Sequence, residues 1–226
     1  MKDRLTTYKG KHIDVIFSVY RCTHVSACVD NLHSVFDTSH RPWITPDEAS
    51  ADRVAEVCLI CPTGALHFER HDGGLVEQIP SRNTIIVGKN GPLYFQGNIT
   101  LQTPQGEVIL KDTRIALCRC GKSRNMPICD ETHEKISFRD GAIHYHRPTP
   151  EANDPSFDSP KGNPAPELKV TIISQGPFIL KGPFELLSAK GMTLYKGIRG
   201  SLCSCGYAQD QPWCDGSHLQ HKQPIE

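Results

Sequence analysis

Apolar positions along this chain fall in short clusters, broken every few residues by glycine, proline or polar side chains. That rhythm predicts strands and loops more than long helices. Residues 11–20 carry Ile13, Val15, Ile16, Phe17 and Val19, a β-branched and aromatic run of strand length. Farther on, Val54, Val57, Cys58 and Cys61 recur at i, i+3, i+4 and i+7, the spacing of one helix face. Thr45 as cap, Pro46 at the first helical position and Glu48 in a capping box predict where that helix starts, and Pro62 where it ends. Beyond residue 90 the pattern is β. Short apolar runs stand at 93–95, 99–101, 108–110 and 115–117, and again at 178–180, 184–186, 192–194 and 201–202. They predict strands of three or four residues leading into cysteine-bearing loops.

These two β regions are an internal duplication. Cys118, Cys120, Cys129 and His133 map onto Cys203, Cys205, Cys214 and His218 at a constant offset of 85 positions. The same offset aligns Gly91-Pro92 with Gly176-Pro177, Gly97 with Gly182, Lys111 with Lys196, Arg114 with Arg199, Gly121 with Gly206 and Pro127 with Pro212. The repeated unit spans 90–133 and 175–218. Two copies are fewer than the three a solenoid needs, so paired packing about a pseudo-two-fold axis is expected. Six prolines between 147 and 167 mark a linker.

Composition narrows the function classes. The chain has 226 residues, and its 25 basic and 25 acidic side chains cancel, so nothing points to a nucleic-acid partner. No stretch approaches the roughly 18 apolar residues of a membrane span. Met1 to Tyr8 lacks the apolar core of a secretory signal, and a cytoplasmic protein is expected. Ten cysteines in that setting argue for metal or redox chemistry, because a reducing compartment disfavours disulfides. They group as Cys22, Cys28, Cys58 and Cys61, then one triplet in each repeat, with a histidine four residues after each triplet.

Each repeat thus offers three thiolates and one imidazole within 16 residues. Structural zinc accepts such a set, but its ligand pairs usually stand two to four residues apart. The tight Cys-x-Cys pair suits two thiolates on one iron, with Cys and His at i, i+4 on a second, so spacing favours a [2Fe–2S] cluster over zinc. Asp130 and Asp215, just after the last cysteine of each triplet, read as helix caps that orient the loop, or else as groups in redox or proton transfer.

The motif Cys-x-Cys-x2-Ser-x3-Pro-x-Cys-Asp-x-Thr/Ser-His resembles the CDGSH iron–sulfur domain family, and Cys214 to His218 spell its signature verbatim. The resemblance implies one [2Fe–2S] cluster per motif, the first on Cys118, Cys120, Cys129 and His133, the second on Cys203, Cys205, Cys214 and His218. Two departures stand out: Glu131 replaces the motif glycine, and Ala208 replaces the usual Ser/Thr. If that glycine needs a positive φ, the first copy is strained, and the lost hydroxyl removes a hydrogen bond; two inequivalent clusters are expected. A histidine ligand leaves the cluster less negative, and its second nitrogen can carry a proton, so potentials between those of all-Cys and Rieske centres, coupled to pH, are expected.

Residues 8–69, with Cys22, Cys28 and Cys61-Pro62, are similar to a divergent single-cluster ferredoxin. Val25 stands where the third cysteine of a [4Fe–4S] pattern would be, which looks like the [3Fe–4S] version on Cys22, Cys28 and Cys61. Cys58, one turn before Cys61, either completes [4Fe–4S] or fills the core as a small hydrophobe. His24, His144 and His146 read as solvated, and Trp43 and Trp213 as packing residues, Trp213 with a chance to shield a cluster.

The expected architecture is therefore α+β: a ferredoxin-like domain over 1–75, a first CDGSH unit over 76–146, a linker over 147–167 and a second CDGSH unit over 168–226. With no nucleophile-base pair, phosphate loop or carboxylate pair, the chain reads as an electron carrier serving a redox or cluster-acceptor protein, not an enzyme. Cluster storage or delivery and a structural zinc protein are the alternatives. The duplication suits a monomer.

Overall fold

The computed structural model describes residues 1, 3–140, 157 and 164–221. His144, His146 and most of the expected linker lie outside them. The chain divides into two compact units, Met1–Gln78 and Ile79–Glu226. Both are small and the whole is mostly β. Among the described residues, no helix is long and apolar enough to cross a membrane.

In the first unit, strands β1 (Leu5–Tyr8), β2 (Ile13–Ser18) and β3 (Leu66–Arg70) form an antiparallel sheet in that order. Helices α1 (Ala27–Asn31) and α2 (Ala51–Leu59) lie between β2 and β3 in the chain. The expected helix start is displaced. Pro46–Glu48 forms a separate 3₁₀ turn, and Thr45 makes no side-chain cap bond. Ala49 is extended, so the α-helix begins afresh at Ala51, with the Ser50 hydroxyl accepting from Arg53 N. Val54, Val57 and Cys58 face the core as expected, but the helix stops at Leu59 and Cys61 lies beyond it.

In the second unit, the short strands expected from each repeat fuse into long ones. Strands β5 (Leu93–Gln102) and β6 (Val108–Leu117) form one hairpin, and β8 (Phe178–Ser188) and β9 (Thr193–Leu202) another. The breaks in the apolar pattern are bulges: register shifts between Gln96 and Ile99, and between Lys181 and Phe184. Gly97 sits in the first with φ +145, and a methyl there would strike Asn83, whose Oδ1 accepts from Asn98 N. Glycine is needed for both reasons.

Two strands that the sequence pattern did not single out tie the hairpins together. β4 (Thr84–Val87) pairs antiparallel with β5 and parallel with β8; β7 (Leu168–Ile172) pairs antiparallel with β8 and parallel with β5. The pairs Ile85↔Leu186 and Leu101↔Val170 interchange under the 85-residue offset. Neither repeat has its own core: Phe95, Leu101, Ile115 and Leu117 pack with Phe178, Leu180, Phe184 and Leu186 in one cluster. Of the expected linker, Ala165 is buried and its N–H donates to Pro80 O.

Candidate metal centres

The long hairpins deliver the two cysteine loops. β6 runs directly into Cys118-Arg119-Cys120, and the chain returns so that Cys118 N donates to Pro127 O at 2.8 Å and Cys129 N to Ala116 O at 3.0 Å. The second loop repeats this, Cys203 N to Pro212 O at 2.8 Å and Cys214 N to Ser201 O at 2.9 Å. The loops meet each other through an antiparallel bridge between Cys120 and Cys205, residues equivalent under the repeat. Gly121 (φ +71) and Gly206 (φ +84) stand at this contact, where a methyl on either would strike the backbone of the opposing cysteine.

The donors resolve into pairs. Cys118 Sγ lies 3.7 Å from Cys120 Sγ and Cys203 Sγ 3.5 Å from Cys205 Sγ. Cys129 Sγ and Cys214 Sγ each lie 3.4 Å from Nδ1 of His133 and His218. Among the described residues, no three or more His, Cys, Asp or Glu side chains gather as a site for one metal ion. Each motif holds one close Cys–Cys pair and one close Cys–His pair.

Local electrostatics divide these sulfurs, favouring the thiolate at Cys120 and Cys203 and the neutral thiol at Cys118, Cys129 and Cys205. Each Cys-x-Cys pair shares a hydrogen bond, which holds Cys120 down to about 7 and Cys203 down to about 6 while raising Cys118 and Cys205. Backbone N–H groups of Gly121 and Ser123 aim at Cys118, Lys122 at Cys120, Gly206 and Ala208 at Cys203, and Tyr207 at Cys205. Such donors favour the charged sulfur. Burial pushes the Cys129 thiol up to about 12 despite the Glu131 N–H. Burial likewise lowers His133.

Asp130 and Asp215 act alike and are not the capping residues; those positions belong to Glu131 and Gly216. Asp130 accepts from Thr132 N and from Arg124 N, and Asp215 from Ser217 N and Gln209 N, tying the two arms of each loop together. Burial pushes the Asp130 carboxyl up, but these bonds outweigh it and hold the group below its usual range. The expected strain is present: Glu131 takes φ +65 where Gly216 takes φ +87. Ser123 Oγ donates to Ile128 O at 2.6 Å, a bond that Ala208 cannot make. Trp213 packs edge-on against Tyr195 at 5.0 Å, joining the shared core.

Sequence reasoning missed four side chains. Arg119, between the first two cysteines, is wholly buried and pairs with Asp140 at 2.7 Å. Phe138 clusters with Cys118 and Cys120. Gln211 Nε2 donates to Cys203 Sγ at 3.5 Å. A signal existed for Arg119 and Gln211: they stand opposite Ser204 and Met126 in the repeat, where charge and polarity change.

In the first unit, Cys22, Cys28 and Cys61 line one cavity of about 30 Å³ with His24, Val25, Thr63 and Trp43. Burial raises the Cys28 thiol, and the charge of Cys61 adds to it, so these two sulfurs feel each other. Cys61 Sγ also contacts Thr63 Oγ1 at 3.5 Å. His24 and Ser26 hold positive φ at the cavity, and His24 is exposed. Cys58 is fully buried in the apolar core, and the cavity lining is formed without it. No cysteine of the chain is in a disulfide. The donor set fits soft-metal ligation in both units: sulfur and imidazole donors, close-paired, with N–H groups turned toward the sulfurs.

Comparison with known proteins agrees. Residues 8–71 match the family described as divergent 4Fe-4S mono-cluster. Residues 90–134 and 175–219 match the family described as iron-binding zinc finger, CDGSH type. The uncharacterized protein YjdI of Escherichia coli K12 is 41% identical over 64 residues, 28% of this chain and 83% of that protein, and its counterpart in E. coli O157:H7 matches equally. No solved structure matches the chain.

Proposed function

We propose, from the premise that this chain belongs to the iron-binding CDGSH family through residues 90–134 and 175–219 and to the divergent 4Fe-4S mono-cluster family through residues 8–71, that it is an electron carrier and not an enzyme. Cys118, Cys120, Cys129 and His133 hold one [2Fe–2S] cluster, and Cys203, Cys205, Cys214 and His218 another. Cys22, Cys28 and Cys61 hold a third, of [3Fe–4S] type, or [4Fe–4S] if Cys58 joins them. The two repeats are related by a pseudo-two-fold axis through the Cys120–Cys205 bridge. The carrier works as a monomer in a reducing, cytoplasmic setting, with a redox protein as its partner.

The observation that supports this reading best is that each motif pairs Cys with Cys and Cys with His, the partners of each pair 3.4–3.7 Å apart. A binuclear centre takes two ligands per iron, whereas zinc takes four around one point. When bound, such clusters supply one-electron chemistry. The chain's residues do the rest. Cysteine N–H partners offset negative charge, the shared core fixes the distance between loops, and His133 and His218 keep a second ring nitrogen for a proton. Proton coupling makes the potential fall with rising pH by about 59 mV per unit in the limit of one proton per electron.

Iron and acid-labile sulfide on anaerobically purified protein test the reading. About four irons are expected from the two repeats, about seven with [3Fe–4S] and about eight with [4Fe–4S]. Colourless protein with zinc in both repeats would overturn it. Cluster delivery remains a second reading, favoured by the partial exposure of Cys205 and Cys214. Transfer of iron and sulfide to an apo-ferredoxin would identify it.

A further inference from the structure

Equivalent turns precede the two loops, and one side chain in each loop braces its turn. Arg119 Nε donates to Gly91 O at 2.8 Å, and at the equivalent position Ser204 Oγ donates to Gly176 O at 2.5 Å. Bracing therefore needs only a hydroxyl. The guanidinium does more. Its Nη2 also donates to Gly88 O at 2.6 Å and to Asp140 Oδ2 at 2.7 Å. Asp140 Oδ2 accepts from Asn90 N, and Asp140 N donates back to Asn90 Oδ1. These bonds pin the segment after α3 (Thr132–Lys135) to the turn at 88–91. Phe138 rides on that segment, with Arg119 5.4 Å over its ring, and packs against Cys118 and Cys120.

The cysteines of the first site are covered as a result, Cys118, Cys120 and Cys129 being 1%, 5% and 2% exposed, while His133 is half-buried. At the position equivalent to Arg119 the second repeat has Ser204, which supplies no cation for such a latch. There Cys205 and Cys214 are only partly buried. Cys205 and His218 line a cavity of about 750 Å³, together with Lys122, Tyr207 and His221. That volume lies within the range of small-ligand pockets. No donor of the first site lines it. Arg119 is a costly way to fix a turn, since its Nη1 is buried without a hydrogen-bond partner.

We infer that the second site is an exchange site, reached through this cavity by an incoming thiol, while the Arg119–Asp140 latch keeps the first site locked. The inference rests on the proposed cluster ligation. In the exchange, the sulfur of the incoming thiol bonds to iron as a bond from iron to a protein donor breaks. The thiol's proton passes to the displaced donor, and no electron changes hands. Lys122 at the cavity wall favours a thiol that carries negative charge.

The test is timed loss of iron from the whole loaded, oxidised chain to desferrioxamine, which takes ferric iron, once with glutathione and once with an apo-ferredoxin as the thiol source. Native mass spectrometry counts the iron, and alkylation mapping shows which cysteines have been released. Cys203, Cys205 and Cys214 should become alkylated first, with Cys118, Cys120 and Cys129 at least about tenfold slower, and loss in only one arm would say whether a small thiol or a protein cysteine is the source. Arg119→Ser, which installs the second repeat's own side chain, should bring the first site within about threefold of the second and leave the second unchanged; Arg119→Lys should restore part of the difference. If Arg119→Ser does not load, Asp140→Asn breaks the same latch from its other side. Equal release from both sites in the natural protein, or no acceleration in either variant, would overturn the inference. Absence of iron and sulfide from both repeats would overturn the proposed function instead.

Discussion

The two cysteine loops of the second unit share the same hairpin setting and backbone hydrogen bonds, yet differ at several positions between and beside the cysteines. The first has Arg119, Ser123, Met126 and Glu131 where the second has Ser204, Ala208, Gln211 and Gly216. The donor pairs nonetheless agree to within about 0.2 Å, at 3.7 and 3.5 Å for the Cys-x-Cys pairs and 3.4 Å for both Cys–His pairs. Ligand geometry is therefore set by the scaffold, and the surroundings are left to vary. A duplicated site can diverge in charge, cover and access without losing its donor arrangement.

The largest effect should break both loops at once. Phe95 is fully buried in the core that both repeats build, and Phe95→Ala should cost about 3–5 kcal/mol. Denaturation followed by Trp213 fluorescence in a Trp43→Phe background should show the second repeat losing stability with the first. Independent unfolding of the repeats would contradict a shared core.

A pH titration of the metal-free chain tests the buried thiols, Cys129 of the first loop among them. Burial raises the folded Cys129 thiol from 9.0 to about 12, so folding favours the neutral form. That contribution is complete below about pH 9 and is lost as pH rises toward 12. Denaturation midpoints should fall across this window, and Cys129→Ala should flatten the fall.

Smaller effects concern backbone strain. Glu131→Gly should stabilise the first loop by roughly 1–2 kcal/mol, because φ +65 is costly for a residue with a Cβ. Gly216→Ala should cost the second loop a similar amount, from φ +87 alone, since nothing lies within 4 Å of the added methyl. Thermal unfolding of both variants measures the pair. Smallest of all, Ser123→Ala should cost about 1 kcal/mol by removing the bonds to Ile128 O and from Asn125 N, while leaving the second loop's properties unchanged. Denaturant midpoints and the redox step of each repeat check it.

Much of the site was legible in the sequence because ligation depends on local spacing. Cys118 and Cys120 two residues apart, and Cys129 and His133 four residues apart, come together without help from distant chain. Glu131 was readable for the same reason, a residue with a side chain where the other repeat has glycine. The fold was less legible. Apolar runs at 93–95 and 99–101 look like two strands, because a bulge at Gly97 and Asn98 interrupts the alternation without ending the ladder. β4 and β7 are only four and five residues long, and each is specified by parallel partners some 70–100 positions away. No local pattern announces that. In the first unit, three good start signals before Glu48 were outcompeted by extended backbone at Ala49 and a cap at Ser50.

By itself the sequence determined the duplication and the iron-binding family of the two repeats, and it picked out the Cys and His side chains that pair in each loop, because residue type and spacing act over a single turn or strand. Only the tertiary structure decided that the repeats share one core, that Cys120 and Cys205 meet, and that Arg119 joins Asp140 beside the first loop. Those features depend on burial and on contacts between residues distant in the chain. Their strength comes from exclusion of water, which no stretch of sequence achieves until the rest of the molecule packs against it.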